Sequence, residues 1–236
     1  MGKTLTDLPH SCYNEASDKT TCYIDGGTPM IVMFLAPGFE EVEALAPLDL
    51  LRRAGLEVVT VAVREAKINQ LIDKLGRIGV SAANLWDDDR AVTGAHGITV
   101  TADITEAALP GRLARASSLE AVILPGGMPG TVNLDASSTV EKTLELAAAK
   151  AAYLCAICAA PLVLGKRGYL VGKRATCFPS FEEYLEGATV GGKVIRDGKV
   201  ITAAGMGVAQ EFGLEMISAL VSPEKAGEIR AAIQSL

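Results

Sequence analysis

The stretch 151–164, AAYLCAICAAPLVL, constrains the fold more than any other part of the chain. Its first half is an apolar run without charge, which is typical of a strand buried on both faces of a parallel sheet. Its second half predicts the first turns of a helix, where Pro161 is tolerated because first-turn amides lack an intrahelical partner. A strand that becomes a helix within one or two residues must turn sharply, and Cys158 lies at that corner.

This position fits a nucleophile elbow, in which the backbone pushes a side chain outward above a helix N-terminus. The small neighbours Ala159 and Ala160 permit the bend. The helix N-terminus favours the thiolate, which is the reactive form of Cys158. The alternative is a buried structural cysteine, because free cysteine is among the most buried residue types.

The sequence on both sides of this corner predicts alternating strands and helices. Met30–Leu35 is a buried-strand run, and 40–55 predicts a helix with acids in its first turn and a glycine C-cap. A second strand is expected at 56–63, so the chain opens as strand–helix–strand, the start of a parallel α/β sheet. The remaining predictions are strands at 97–101, 119–124 and 174–177, helices at 137–150, 209–221 and 223–236, and a hairpin at 194–201.

Composition excludes several classes of protein. The 236 residues are 49% hydrophobic and 21% charged, which suits one globular domain. A net charge of −6 without a basic run predicts no nucleic-acid binding. The sequence shows neither a secretory signal nor an apolar stretch of about 18 residues, so we expect no membrane span and a cytoplasmic location. The five scattered cysteines are then expected to be reduced.

We divide the chain into an N-terminal extension, 1–29, and a single domain, 30–236, with an insertion at about 65–90. The insertion has apolar residues at helical spacing, and we interpret it as a surface-packed segment rather than a partner-binding helix. A metal site built from His10, Cys12 and Cys22 would lack a fourth ligand. We therefore expect neither a metal nor a cofactor.

Three features are expected at the same edge of the sheet. Glu43 lies on the first helix, Gly126 and Gly127 follow a middle strand, and Cys158 lies at the elbow. A carboxyl group beside a thiol can hydrogen-bond to the sulfur or move a proton. The amides of Gly127 and Ala159 can serve as an oxyanion hole. The alternative for Glu43 is a solvated first-turn acid like its neighbours.

Four blocks then carry a resemblance to a known family: APGFEEVEALAPLDLLRRAG, LPGGMPG, CAICAAPLVL, and the region ATCFPSFEEYL through GMGVAQEFGLEMISAL. In this order they resemble the ThiJ/PfpI superfamily, and within it the branch of the parkinsonism-associated deglycase. The resemblance implies a flavodoxin-like three-layer sandwich, α/β in class, with a mostly parallel sheet and helices on both faces. It also implies a homodimer. It makes Cys158 the nucleophile, Glu43 the buried acid, and Gly126, Gly127 and Ala159 the substrate-binding amide region.

The function implied is that of a cysteine-dependent enzyme acting on a small aldehyde or a glycated substrate. It would convert methylglyoxal to lactate without glutathione, or remove early glycation from amines and thiols. The alternative is an oxidative-stress sensor or holdase chaperone with an oxidisable cysteine and little turnover. A third possibility is a modified scaffold whose extra segments block the site.

Two departures from the family pattern reduce the number of reactions that the site is expected to catalyse. Phe178 stands where the family often has a histidine, and Ala159 stands where the peptidase branch has one. We interpret the two histidines of the chain, His10 and His96, as structural or exposed. A Cys–His dyad is therefore not expected, and peptidase and amidotransferase chemistry are disfavoured.

Cys155 and Cys158 form a C-x-x-C pattern, which in other contexts indicates a redox pair. Here Cys155 lies inside the strand, so we expect the two thiols to be held apart. Cys177 is the better candidate to modulate Cys158.

Overall fold

The computed structural model describes residues 28–64 and 90–235. Its strands are β1 (Met30–Leu35), β2 (Val58–Ala62), β3 (Ala91–Thr93), β4 (Thr99–Thr101), β5 (Ile104–Thr105), β6 (Leu119–Leu124), β7 (Tyr153–Ile157), β8 (Arg174–Ala175), β9 (Thr189–Val190), β10 (Val194–Asp197) and β11 (Val200–Ala203). Its α-helices are α1 (Glu41–Arg53), α2 (Leu109–Leu113), α3 (Gly130–Ala136), α4 (Ser138–Ala149), α5 (Pro161–Gly165), α6 (Ala209–Leu220) and α7 (Pro223–Ala232).

Seven strands form the central sheet in the order β10-β11-β7-β6-β1-β2-β5. All neighbours are parallel except β10 and β11, which form the predicted hairpin. The inner order β2-β1-β6-β7-β11, numbered along the chain, is the 2-1-3-4-5 order of a flavodoxin-like fold. The strand order reverses between β1 and β6, and in open α/β sheets ligands bind beside the carboxyl ends of strands at such a point.

Both faces of the sheet are covered, because alternate residues of one strand enter different cores. Val32 packs into a core with Leu144 of α4, whereas Met33 packs into a core with Phe212 of α6. Helices α3, α4 and α5 cover the first face, and α1, α6 and α7 cover the second. All six residues of β1 are buried, which confirms the strand predicted from its continuous apolar run. The structure thus confirms the predicted three-layer sandwich.

Helix α1 begins and ends as its sequence indicates. The Glu40 side chain caps its N-terminus by accepting a hydrogen bond from the Glu43 amide at 2.7 Å. Arg52 and Arg53 lie in its last turn, and Gly55 follows with a φ of +82°, a left-handed conformation that favours glycine. These local signals fix the register of the helix and therefore the direction of every side chain on it.

Two predicted strands are shorter than expected and lie outside the central sheet. The segment 97–101 contributes only β4, which forms an antiparallel hairpin with β3. The segment 174–177 contributes only β8, which pairs with β9. Strand β8 ends there because the Thr176 amide donates to Oγ1 of Thr202 instead of to a neighbouring strand.

Most of the extension 1–29 and of the insertion 65–90 lies outside the described residues, so the proposed domain boundaries remain predictions. Within the two described ranges, no helix has the length and apolar content needed to cross a bilayer.

Candidate active site

The predicted elbow lies between β7 and α5, and Cys158 has the strained backbone that such a turn requires. Its φ is +64°, a left-handed value that residues other than glycine rarely adopt. Two hydrogen bonds hold it there. The Cys158 amide donates to the Ala203 carbonyl at 2.8 Å, and the Phe178 amide donates to the Cys158 carbonyl at 2.8 Å. Strain that the surrounding structure maintains in this way is typical of functional positions.

Glu43 is buried beside the sulfur, not solvated. Its side chain projects from the first turn of α1 and is only 1% exposed. It forms a hydrogen bond with the Cys158 side chain and accepts one from the Gly126 amide at 3.1 Å. The Met206 amide is a further donor to its carboxyl group. The structure thus brings together the acid and the thiol that the sequence placed at one edge of the sheet.

The glycines after β6 are required by close packing around these two groups. A Cβ atom on Gly126 would lie 2.5 Å from Oε2 of Glu43 and 2.7 Å from Cβ of Cys158. Gly127 has a φ of +91°, and a Cβ there would lie 2.4 Å from the Glu40 amide nitrogen. The amides of Gly127 and Ala159 both donate to the sulfur. This is the predicted pair of donors, arranged around a group that becomes negative when it loses its proton.

The carboxyl and the thiol act on each other's ionisation. Burial is the largest effect on Glu43 and raises its pKa to about 7, against the opposing hydrogen bond of Cys158. Burial, followed by the charge of Glu43, raises the pKa of Cys158 to about 12, while the amides of Ala159 and Gly127 lower it. The two groups therefore titrate as a pair, in which the sulfur holds its proton more tightly than the carboxyl does.

The expectation that the helix N-terminus favours the thiolate is corrected by this arrangement, because burial raises the pKa of the sulfur. Helix α5 has only five residues, and the burial of the Cys158 side chain outweighs the amides at its start. The acid in contact with the sulfur is Glu43, a residue of a different helix. Deprotonation of the sulfur thus depends on tertiary structure rather than on the elbow itself.

The other predicted thiols are placed as follows. Cys155 and Cys158 are both free, which confirms that the C-x-x-C pattern forms no disulfide. Cys155 is fully buried, and burial strongly raises its pKa. Cys177 is 5% exposed and packs in the core under α3, α4 and α5, whereas Cys158 packs against the core of the opposite face.

Glu41, two residues before Glu43, has a structural role that the sequence did not indicate. It is 4% exposed and accepts a hydrogen bond from the His96 amide at 2.7 Å, while its Oε2 pairs with Nδ1 of His96 at 2.9 Å. Ligand atoms of Glu40, Glu41 and His96 lie within 4.8 Å of one another, an arrangement that can hold a cation. Since both oxygens of Glu41 already have partners, we interpret the cluster as a clamp that holds the turn between β3 and β4 on α1.

Two further residues at the site were missed by the sequence analysis. A Cβ on Gly205 would lie 3.8 Å from Oε1 of Glu43 and 4.0 Å from Sγ of Cys158, and the Met206 amide donates to Glu43. Both residues follow β11, whose carboxyl end lies at the same edge of the sheet as those of β6 and β7. The GMG motif after this strand was the available signal, because glycines at that edge accompany close backbone approach.

A flavodoxin-like sandwich with a cysteine at its nucleophile elbow and a buried glutamate on the first helix defines the class of this protein. The model of the DJ-1/PfpI family matches residues 29–219, and the chain belongs to that family. It is 32% identical over 205 residues to protein dj-1beta of Drosophila melanogaster, covering 84% of this chain and 92% of that protein.

Two other comparisons agree with this placement. The chain is 30% identical over 224 residues to DJ-1 homolog B of Arabidopsis thaliana, covering 92% of this chain but only 44% of that protein. This chain thus spans less than half the length of the Arabidopsis relative. The structure of oxidized Toxoplasma gondii DJ-1 superposes with a TM-score of 0.72 at 27% identity, covering 88% of this chain and 99% of that one.

Proposed function

We propose that this protein is a cofactor-independent enzyme that converts small 2-oxoaldehydes to 2-hydroxy acids without glutathione. Removal of early glycation adducts is a related reaction of the same site. The observation that supports this most is the hydrogen bond between Cys158 and Glu43, because it joins a nucleophile to a group that can accept and return its proton.

The reaction begins when the Cys158 sulfur attacks the aldehyde carbon. The thiol proton passes to Glu43 and then to the aldehyde oxygen, which gives a hemithioacetal. The amides of Gly127 and Ala159 stabilise the oxygen while it is negative. A pKa of about 7 suits Glu43 to both accepting and donating this proton near neutral pH.

The ionised Glu43 next removes the proton from the former aldehyde carbon and returns it to the adjacent carbonyl carbon. In the same rearrangement the hydroxyl proton of the hemithioacetal moves to the oxygen of that second carbon. The first carbon is thereby oxidised to a thioester while its neighbour is reduced to an alcohol, so no external oxidant is needed. Water then hydrolyses the thioester and releases the 2-hydroxy acid and the free thiol of Cys158. His96, the only histidine of the described chain, pairs with Glu41 and takes no part.

The test is to incubate the full chain with methylglyoxal, without glutathione, and to measure lactate. Cys158→Ala is expected to remove turnover, and Glu43→Gln to reduce kcat by about 10²–10⁴-fold, the usual value of a proton-transfer group. Cys155→Ala is the matched control, because it removes a fully buried thiol of β7. Unchanged lactate formation in Cys158→Ala would refute the proposal.

A redox sensor or holdase is the second candidate function. Cys158 is the most accessible of the described cysteines, and a similar solved structure is that of an oxidized DJ-1. A peroxide would transfer one oxygen to the sulfur and leave as water, and a second peroxide would complete the sulfinic acid.

The free thiols of the described chain support a reducing compartment such as the cytoplasm.

Association of two copies into a homodimer, which the family resemblance implies, is also part of this proposal. Val42 and Ile98 support the homodimer, because both side chains are about half exposed. Val42 follows Glu41 in the chain, and the Ile98 amide donates to the Glu41 carboxylate that holds the β3–β4 turn. Sedimentation equilibrium of the full chain measures this directly.

A further inference from the structure

Three half-exposed apolar residues are joined to the catalytic pair by their own backbone or by that of a neighbour. Met128, Phe178 and Met206 are all about half exposed. The Phe178 amide donates to the Cys158 carbonyl, and the Met206 amide donates to Glu43. Met128 follows Gly127, whose amide donates to the sulfur. The backbones of Phe178 and Met206 are therefore held beside the reacting atoms, and Met128 is one residue from such a contact.

The space beside Gly205 is shared by the Phe178 ring and by both catalytic groups. The site of a Cβ on Gly205 is 3.4 Å from Cδ2 of Phe178, 3.8 Å from Oε1 of Glu43 and 4.0 Å from Sγ of Cys158. The edge of the ring, the carboxyl oxygen and the sulfur thus face one small region that is open because residue 205 has no side chain. A group attached to a carbonyl carbon at the sulfur would lie against this ring.

The donors at this region are neutral. The hydrogen-bond donors to the sulfur and to the carboxyl of Glu43 are backbone amides, those of Gly126, Gly127, Ala159 and Met206. A carboxylate or phosphate on the substrate would gain no cation from these groups and would lie close to Glu43. An apolar group would instead be removed from water by the phenylalanine ring.

We propose that Phe178, aided by Met128 and Met206, makes the enzyme selective for 2-oxoaldehydes with an aromatic or other apolar substituent. This inference rests on the proposed function and names its substrate class. Phe178 acts as the specificity-determining residue: it contacts the substituent, while Cys158 and Glu43 carry out the reaction.

Turnover provides the first test, with phenylglyoxal and methylglyoxal as paired substrates. We expect kcat/KM to be about tenfold higher for phenylglyoxal, a ratio equivalent to about 1.4 kcal/mol. In Phe178→Ala the ratio is expected to fall to about 1–2, with a smaller fall in Met128→Ala. Val171→Ala is the control, since Val171 is 63% exposed and lies beside Gly187. An unchanged ratio in Phe178→Ala overturns the inference.

Alkylation of Cys158 provides a second test that needs no turnover. 2-Chloro-N-benzylacetamide and 2-chloro-N-methylacetamide share one reactive carbon, at which the sulfur displaces chloride. Their rates at Cys158, measured by peptide mass spectrometry and divided by their rates with free cysteine, are expected to favour the benzyl reagent by about tenfold in the wild type, the effect of one aromatic contact. Phe178→Ala is expected to remove most of this preference.

The two tests separate the inference from the proposed function. Lactate formation without any preference for aromatic reagents would refute the selectivity and leave the glyoxalase reaction standing. A benzyl preference without turnover of either aldehyde would refute the reaction and leave the apolar subsite standing. A second copy of the chain covering the three side chains would abolish the preference and would also overturn the inference.

Discussion

Cys158 and Glu43 both occupy states that an isolated residue would avoid. Cys158 has a left-handed backbone, and Glu43 is a buried carboxyl group whose pKa is raised to about 7. Each is held by contacts from elsewhere in the chain: the backbone of Cys158 by Ala203 and Phe178, and the carboxyl by Gly126 and Met206. The folded state therefore bears a local cost in free energy that the surrounding structure offsets.

The buried Glu43 predicts how stability depends on pH. Its folded pKa of about 7 lies above the ordinary value of 4.5, so the unfolded chain releases this proton first. The contribution of the neutral carboxyl is full below about pH 4.5 and is lost as the pH rises through 7, by at most roughly 3 kcal/mol. Glu43→Gln is expected to lack this loss.

Urea unfolding of both proteins at several pH values between 4.5 and 8 measures the difference. Glu145→Gln is the matched control, because Glu145 is an exposed helical glutamate that should leave the wild-type slope unchanged. Parallel stability curves for the wild type and Glu43→Gln would show that the carboxyl is not desolvated as the structure indicates.

At the scale of elements, the position of Glu43 depends on how α1 packs against α6. Gly213 lies at this contact, and a Cβ there would be 2.9 Å from Cδ1 of Leu50 and 3.0 Å from Cα of Pro47. The Pro47 contact is with backbone, which cannot move aside as a side chain can. A glycine in the middle of α6, normally unfavourable in a helix, thus permits the close approach of α1.

This contact reverses the usual effect of replacing a helical glycine by alanine. Gly213→Ala is expected to destabilise the protein by about 1–3 kcal/mol, the range of an overpacked core. Gly227→Ala in α7, where a Cβ would meet nothing within 4 Å, is expected to stabilise it by up to about 1 kcal/mol. Thermal or urea unfolding compares them, and a shift in the same direction for both variants would contradict the close packing.

At the scale of the whole molecule, a sheet buried on both faces separates a fully buried thiol from a partly exposed one. Cys155 lies within β7, between β6 and β11, and is 0% exposed. Cys158, only three residues later, has left the sheet at its carboxyl edge. Any reaction at Cys155 therefore requires the sheet to open, whereas Cys158 is reached in the native state.

Oxidation of the native protein is expected to follow this order. Mild peroxide should add two oxygens to Cys158, detected by mass spectrometry of its peptide, and none to Cys155. The same treatment in urea should allow Cys155 to react, which controls for its intrinsic reactivity. Equal oxidation of the two cysteines without urea would eliminate the sensor candidate.

Local sequence was sufficient for much of the fold and for the composition of the site. The apolar run of β1, the caps of α1, the Asp-Gly hairpin and the strand–helix junction at Cys158 each depend on residues close together in the chain. The segments expected at 97–101 and 174–177 were only partly strands, because their hydrogen bonds went to distant partners such as Thr202. Local periodicity does not predict which distant group a backbone amide will contact.

By itself, the sequence determined where most of the central strands and the long helices form, that the sheet is buried on both faces, and that a cysteine lies at the turn after β7. Only the tertiary structure decided the roles of two acids in the first turn of α1. Glu41 clamps a hairpin and Glu43 meets the sulfur, whereas Glu40 caps the helix locally. The reason is physical: burial, pKa and proton transfer depend on groups that are far apart along the chain and become neighbours only when α1 packs beside the ends of β6, β7 and β11.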